Sequence, residues 1–254
     1  MAGSSLPVLI ALGLLGLVGG IGITAVGPGG VLPTIGLFAL TGLTPAEVAG
    51  TAIVTHVATG ALATAAYTRS GQLREPGTRR TALVLAASAV VGTPLGVMLN
   101  SFVSERAFGL VLAVFVAGVA GLVWFRERHG RDTPKAHPPT ALVAVLGFTV
   151  AVAAGVVGIG GPMLTVPLLV ALGVPVLESL ASAQAQSVVI AGVGTLGYVA
   201  HGAVDWPLAV LVGVPELAGV LLGWRIAHAL PTRHLKFALI ATLFALAPYL
   251  ALHG

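Results

Sequence analysis

Gly27-Pro28-Gly29-Gly30 interrupts an apolar run that starts at Leu6 and resumes over 31–40, and Gly158-Ile159-Gly160-Gly161 does the same between 141–157 and 162–172. Glycine reaches backbone angles closed to other residues and lets another group approach the main chain. Proline fits the first turn of a helix, where its missing N–H costs little, and Pro33 and Pro162 lie early in the two downstream segments. Each stretch therefore reads as a break followed by a fresh helix N-terminus. Unpaired N–H groups and a positive dipole end make such a terminus an anion site. Inside a membrane a broken backbone is tolerated only where it is buried in protein or lines a polar cavity. The two breaks are thus the expected centre of function.

Composition sets the class. Charged residues are 8% of the 254, and 57% are hydrophobic, with a mean hydropathy of +1.04. Soluble domains carry about 25% charged residues, so the chain reads as an all-α integral membrane protein. Its apolar runs fit helices crossing a hydrocarbon core of about 30 Å. The alternating ten-residue segments of a β-barrel are missing. With no cysteine, disulfides, thiol catalysis and thiolate metal sites are excluded. No Gly-x-Ser-x-Gly elbow, His-Glu-x-x-His or clustered metal ligands occur, so neither an enzyme nor a cofactor or metal is expected. The net charge of +4 fits basic cytoplasmic loops rather than nucleic acid. The first apolar run lacks a basic leader and is read as a helix rather than a cleaved signal.

Helices are expected over 6–26, 31–42, 46–68, 81–100, 106–125, 141–157, 162–173, 177–200, 208–229 and 233–252. Segments 31–42 and 162–173 are about 18 Å long as helices, too short to span, and read as half-helices or re-entrant arms. The polar stretch 126–139 is a cytoplasmic linker between an N-terminal repeat, 1–125, and a C-terminal repeat, 140–254. An offset of 131 residues aligns Gly29-Gly30 with Gly160-Gly161, Gly42 with Gly173, Glu47 with Glu178, Tyr67 with Tyr198 and Gly71 with Gly202. Gly92-x-x-x-Gly96 then matches Gly219-x-x-x-Gly223 at an offset of 127. Such Gly-x-x-x-Gly pairs allow close helix packing, within the chain or at a homodimer contact.

Basic residues set the orientation. Arg69, Arg74, Arg79 and Arg80, the linker's Arg126, Arg128, Arg131 and Lys135, and Arg225, Arg233 and Lys236 all fall on one side if each broken segment is a hairpin or two spans, which leaves only Arg106 on the other. The positive-inside rule then places both termini outside. Each half has an odd number of crossings, so the halves are inverted copies, an arrangement in which transporters bind substrate near the midplane.

The breaks GPGGVLPTIG (27–36) and GIGGPMLTVPLL (158–169), together with Glu47-Val48-Ala49-Gly50-Thr51 and Ala203-Val204-Asp205-Trp206, resemble the sulfite exporter TauE/SafE family over nearly the whole chain. The resemblance implies a transporter in the cytoplasmic membrane for small sulfur-containing anions such as sulfite, sulfonates or sulfoacetate. The expectation is a secondary transporter working by alternating access, with the option of proton linkage. The alternative is an anion channel, or a transporter for a carboxylate or another small organic anion. Its partners are then the anion, the lipid bilayer and, through the glycine pairs, a second copy of the chain.

Individual side chains narrow the site. Glu216 sits mid-way along an apolar helix, where a carboxyl group is costly unless protonated or paired. It is the candidate for proton coupling, against a plainer reading as a packing contact to a neighbouring helix. Thr51, Thr55 and Thr59 share a helix face beside His56, against the plainer reading that they bond their own helix carbonyls. At the same offset Ser182, Gln186 and Ser187 take the places of Thr51, Thr55 and His56. The expected substrate-binding set is Gly29, Gly30, Thr51, Thr55, His56, Gly160, Gly161, Ser182 and Gln186. Gln184 is a weaker candidate, and Glu47 and Glu178 are read as helix starts.

Overall fold

Capping side chains mark where three long helices begin. The computed structural model describes residues 5–104 and 138–231, with positions 107, 110, 114, 117, 118, 121, 234 and 237. In it Thr44 Oγ1 accepts the Glu47 N–H at 3.3 Å while the Glu47 carboxylate accepts the Thr44 N–H at 2.8 Å. This capping box opens α3, Pro45–Arg69. Glu75 accepts the Thr78 N–H at 2.6 Å and opens α4, Pro76–Asn100. Asp205 accepts the Leu208 N–H at 3.0 Å and opens α8, Trp206–Ala229. The other elements are α1 Leu6–Ala25, a 3-10 turn Pro28–Gly30, α2 Val31–Leu40, a 3-10 turn Gln72–Arg74, α5 Thr140–Val157, α6 Pro162–Ala171 and α7 Val176–Ala200. No strand occurs among the described residues.

Helix α4 starts five residues before the expected 81, because Glu75 and Pro76 supply a cap and a first helical residue ahead of Arg79 and Arg80. Both short helices stop early, at Leu40 and Ala171. The expected helices 106–125 and 233–252, and the linker apart from Pro138 and Pro139, lie outside the described residues. Six of the described helices, α1, α3, α4, α5, α7 and α8, are long and apolar enough to cross a membrane.

The short helices double back. A side chain on Gly29 would strike Gly22, one on Gly19 would meet Pro33, and one on Gly36 would meet Leu15 and Leu12. Numbers rise along α2 as they fall along α1, so α2 is the returning arm of a hairpin. In the second half, Gln186 of α7 bonds both Thr165 of α6 and Gly147 of α5, and Leu169 and Val143 share one apolar cluster. Here too the short helix returns along its predecessor. Gly27 and Gly158, one at each turn, have φ of 106° and 71°, a region that favours glycine.

Among the described helices, α1 packs along α8 and α4 along α5, and α3 and α7 lie between these pairs. A Cβ on Gly92 or Gly96 would run into the carbonyls of Phe148 and Val152. On Gly219 or Gly223 it would run into those of Leu17 and Ile21. The residues contacted are again 131 apart. Both Gly-x-x-x-Gly pairs are therefore used for backbone approach within the chain. Large apolar side chains face outward, including Leu6, Ile10, Leu14 and Val18 along one stripe of α1 and Val210 and Val214 on α8, as a lipid-facing surface requires.

Side-chain bonds order the helix ends. Arg80 donates to Thr140, Trp224 Nε1 to Ser70 Oγ at 3.4 Å, and Thr78 Oγ1 to Glu178 at 3.1 Å. The end of α3, the starts of α4, α5 and α7 and the end of α8 thus share one face, which carries Arg69, Arg74, Arg79, Arg80 and Arg225. At the opposite face the Asp205 N–H donates to Thr51 Oγ1 at 2.9 Å, joining the start of α8 to the start of α3. Helices α3 and α7 therefore run antiparallel.

Candidate functional site: two glycine breaks around His56

Ending a helix in mid-bundle strands its last carbonyls, and stranded carbonyls need donors. At the end of α1, Gln184 Nε2 donates to Ile23 O at 2.8 Å and Tyr67 OH to Thr24 O at 2.6 Å. At the end of α5, Tyr198 OH donates to Gly155 O at 2.7 Å and Asn100 Nδ2 to Val156 O at 2.7 Å. The two tyrosines are the aligned pair Tyr67 and Tyr198, and their acceptors keep the same offset. Long side chains from α3, α4 and α7 thus hold each break open at its carbonyl end. At the other end, neither α2 nor α6 has a side-chain cap: the Val31 N–H at the start of α2 bonds back to the 3-10 turn at Pro28 and Gly29, and α6 opens on Pro162, which has no N–H to satisfy.

His56 fills that space. A Cβ on Gly30 would stand 3.4 Å from His56 Cε1, and one on Gly160 would stand 3.5 Å from His56 Cδ2. One imidazole is therefore wedged between both breaks. Ser187 closes on Gly160 from the α7 side, with its Oγ 2.9 Å from the same Cβ position. Gly161 faces Gln186 Oε1 at 3.2 Å and Ala183 O at 3.4 Å by the same construction. The breaks also touch each other: Gly27 packs on Pro162 and Val166, and Thr34 Oγ1 lies 3.5 Å from Gly158 O. Residues 27–30 and 158–161 are all buried.

His56 has one charged neighbour. Its Nδ1 lies 3.1 Å from Glu216 Oε1, with both side chains fully buried. Neither ring nitrogen and neither carboxylate oxygen makes a hydrogen bond, and Ser187 Oγ has no partner either. Buried polar atoms are normally satisfied. Beside the two breaks, His56 Nε2, Glu216 Oε2 and Ser187 Oγ have no partner.

The remaining candidates are dispersed. Thr51 is taken by the Asp205 N–H at the opposite face, and Ser182 Oγ donates to Thr78 O at 3.3 Å at the arginine face. Thr55 Oγ1 donates to Ala52 O at 2.9 Å within its own helix, while its methyl packs on Gly213 of α8. Gln186 accepts from Thr165 Oγ1 at 2.5 Å and donates to Gly147 O at 3.1 Å, which leaves it bracing α5, α6 and α7. Gly29 lies against Gly22 of α1. The cluster that remains is Gly30, His56, Gly160, Gly161, Ser187 and Glu216. Ser187 carried a signal in the sequence, as the counterpart of His56 at the repeat offset. The pairing of His56 with Glu216 carried none. Among the described residues no group of three or more His, Asp or Glu side chains is placed to hold a metal ion.

The model of the sulfite exporter TauE/SafE family matches residues 12–250, a span that includes both breaks, His56 and Glu216. The chain belongs to the TauE/SafE family. Similar curated proteins are the probable membrane transporter protein YdhB of Bacillus subtilis (strain 168), 24% identical over 92% of this chain and 95% of its own length, and a probable membrane transporter protein of Xylella fastidiosa (strain 9a5c), 29% identical over 89% and 83%. A third, the probable membrane transporter protein ORF9 of a Sinorhizobium species, is 28% identical over 89% and 85%. No solved structure matches the chain. This TauE/SafE protein is a multi-pass membrane protein of a transporter family.

Proposed function

We propose that this TauE/SafE protein is a secondary transporter that carries a small sulfur-containing anion, such as sulfite, a sulfonate or a sulfoacetate-like molecule, across the cytoplasmic membrane by alternating access. Residues 1–125 and 140–254 act as inverted repeats, both termini lie outside, and the anion binds where the two breaks meet. The observation that carries this reading is the convergence of Gly30 and Gly160 on His56, with the uncapped N-termini of α2 and α6 beside it. Each terminus offers the positive end of a helix dipole to an oxyanion. Antiparallel α3 and α7, lying between the other long helices, supply a centre about which two inverted halves can rock.

Binding of the anion and protonation of Glu216 favour each other in this reading, because an ionised carboxylate beside the site repels the substrate through a medium of low dielectric. Linkage makes the preference reciprocal. Reconstituted vesicles loaded in turn with sulfite, taurine, sulfoacetate, sulfate and carboxylates test the function. Flux of a sulfur-containing anion, lost when Gly30 or Gly161 is replaced by valine in folded protein, is the expected result. Flux that survives both replacements places the site elsewhere, and flux confined to carboxylates removes the sulfur-anion assignment.

A further inference from the structure

A carboxyl group lies at the place read above as the anion site. Glu216 sits 3.1 Å from His56 with no exposed surface, and neither side chain makes a hydrogen bond. A buried carboxylate kept for structure is ordinarily surrounded by donors. This one has only the His56 ring beside it. Helices α1, α2 and α6 carry no ionisable side chain. On α3 only His56 faces Glu216, since Glu47, Tyr67 and Arg69 lie at the helix ends. On α7, Glu178 is in the first turn and bonded to Thr78, and Tyr198 is bonded to Gly155. Arg225 and His228 are more than two turns further along α8. Nothing else among the described residues offsets a charge on either partner, and net charge in such a place is expensive. The neighbourhood therefore favours states in which the charges at His56 sum to zero.

We propose that Glu216 is a tethered competitor for the transported anion, a refinement that rests on reading the breaks as the anion site. In the empty protein the Glu216 carboxylate balances the His56 imidazolium. An incoming singly charged group, a sulfonate, carboxylate or hydrogensulfite, takes its place on His56, between the Gly160 backbone and the unpartnered Ser187 hydroxyl. The displaced carboxylate takes one proton from water and becomes a carboxylic acid, while the proton on His56 stays. The only covalent bond formed is the O–H of Glu216. The site carries zero net charge before and after, so one proton enters with each anionic group. Release reverses the exchange: Glu216 gives up its proton and reclaims His56, which expels the anion.

Titration of the purified full-length protein with methanesulfonate and with sulfoacetate, from about pH 5 to 8, tests this. In the wild type the dissociation constant should rise about tenfold per pH unit once free Glu216 is ionised, because one proton is linked to each binding event. An indicator dye in weak buffer should register uptake of one proton per anion. Glu216→Gln removes the competing carboxylate and should bind methanesulfonate more tightly than the wild type at the alkaline end. His56→Gln should lose binding throughout. Binding by the Gln variant that is equal to or weaker than the wild type's at alkaline pH overturns the competitor. Proton uptake by the wild type needs no variant, and its absence during binding overturns the proposal even if Glu216→Gln fails to fold. Failure of the wild type to bind either sulfonate at any pH instead removes the site itself.

Discussion

Ser187 and Gly160 show how little room single residues leave between the breaks. A branched side chain in place of Gly160 would enter the space bounded by Ser187 Oγ and His56 Cδ2. Gly160→Val should weaken anion binding at least tenfold, about 1.4 kcal/mol, with α-helical content unchanged by circular dichroism. Ser187→Ala removes one donor and nothing else, since its hydroxyl bonds no protein group. It should cost about 1 kcal/mol of binding and leave thermal stability untouched. A fall in melting temperature without a change in affinity would give Ser187 a packing role. At this scale the sequence was half legible. Polar residues inside apolar helices announced themselves through cost, and His56, Gln186 and Glu216 are all fully buried. Which of them face one another was hidden, because Thr51, Thr55 and Ser182 carry the same polarity yet spend it on Asp205 N–H, Ala52 O and Thr78 O.

Elements were easier to read than residues, since helix length and glycine placement are local properties. The breaks, the two ten-residue helices and the long helices described are all visible in the pattern of apolar runs. The start of α4 was not, because Arg79 and Arg80 look like loop until Glu75 is recognised as a cap. The Gly-x-x-x-Gly motifs were legible as contacts but not as to partner: the sequence allowed another copy of the chain, and the folded chain turns these glycines to α1 and α5. Gly96→Ala would force α4 away from the Val152 carbonyl, and Gly223→Ala would force α8 away from Ile21. Each should destabilise the protein by about 1–3 kcal/mol through overpacking, read as a lowered melting temperature in detergent. Gly192→Ala meets open space and should leave stability unchanged or slightly raised, because alanine favours helix. Equal losses at all three positions would mean that backbone approach is not what these glycines provide.

Over the whole molecule, arginine placement and helix-end bonds agree on one basic face. Arg74, in the turn between α3 and α4, and Gly42, before α3, lie at opposite ends of that helix and are both exposed. The chain has no cysteine of its own, so Arg74→Cys and Gly42→Cys can be labelled without background. The proposed orientation predicts that an impermeant thiol reagent reaches Gly42→Cys in intact cells and Arg74→Cys only after the membrane is opened. The reverse pattern would invert the orientation, and equal labelling of both in intact cells would deny that α3 crosses the bilayer.

The central claim is that the two breaks jointly hold the anion beside His56, and its most direct test is to locate a heavy analogue. Selenite, the selenium counterpart of sulfite, can be soaked into crystals and placed by anomalous diffraction. The account predicts one buried selenium peak between residues 27–30 and 158–161, within hydrogen-bonding reach of His56 and Ser187 and with Glu216 moved off the imidazole. Selenium found only at the arginine face, beside Arg80 and Thr140, with Glu216 still against His56, would contradict it.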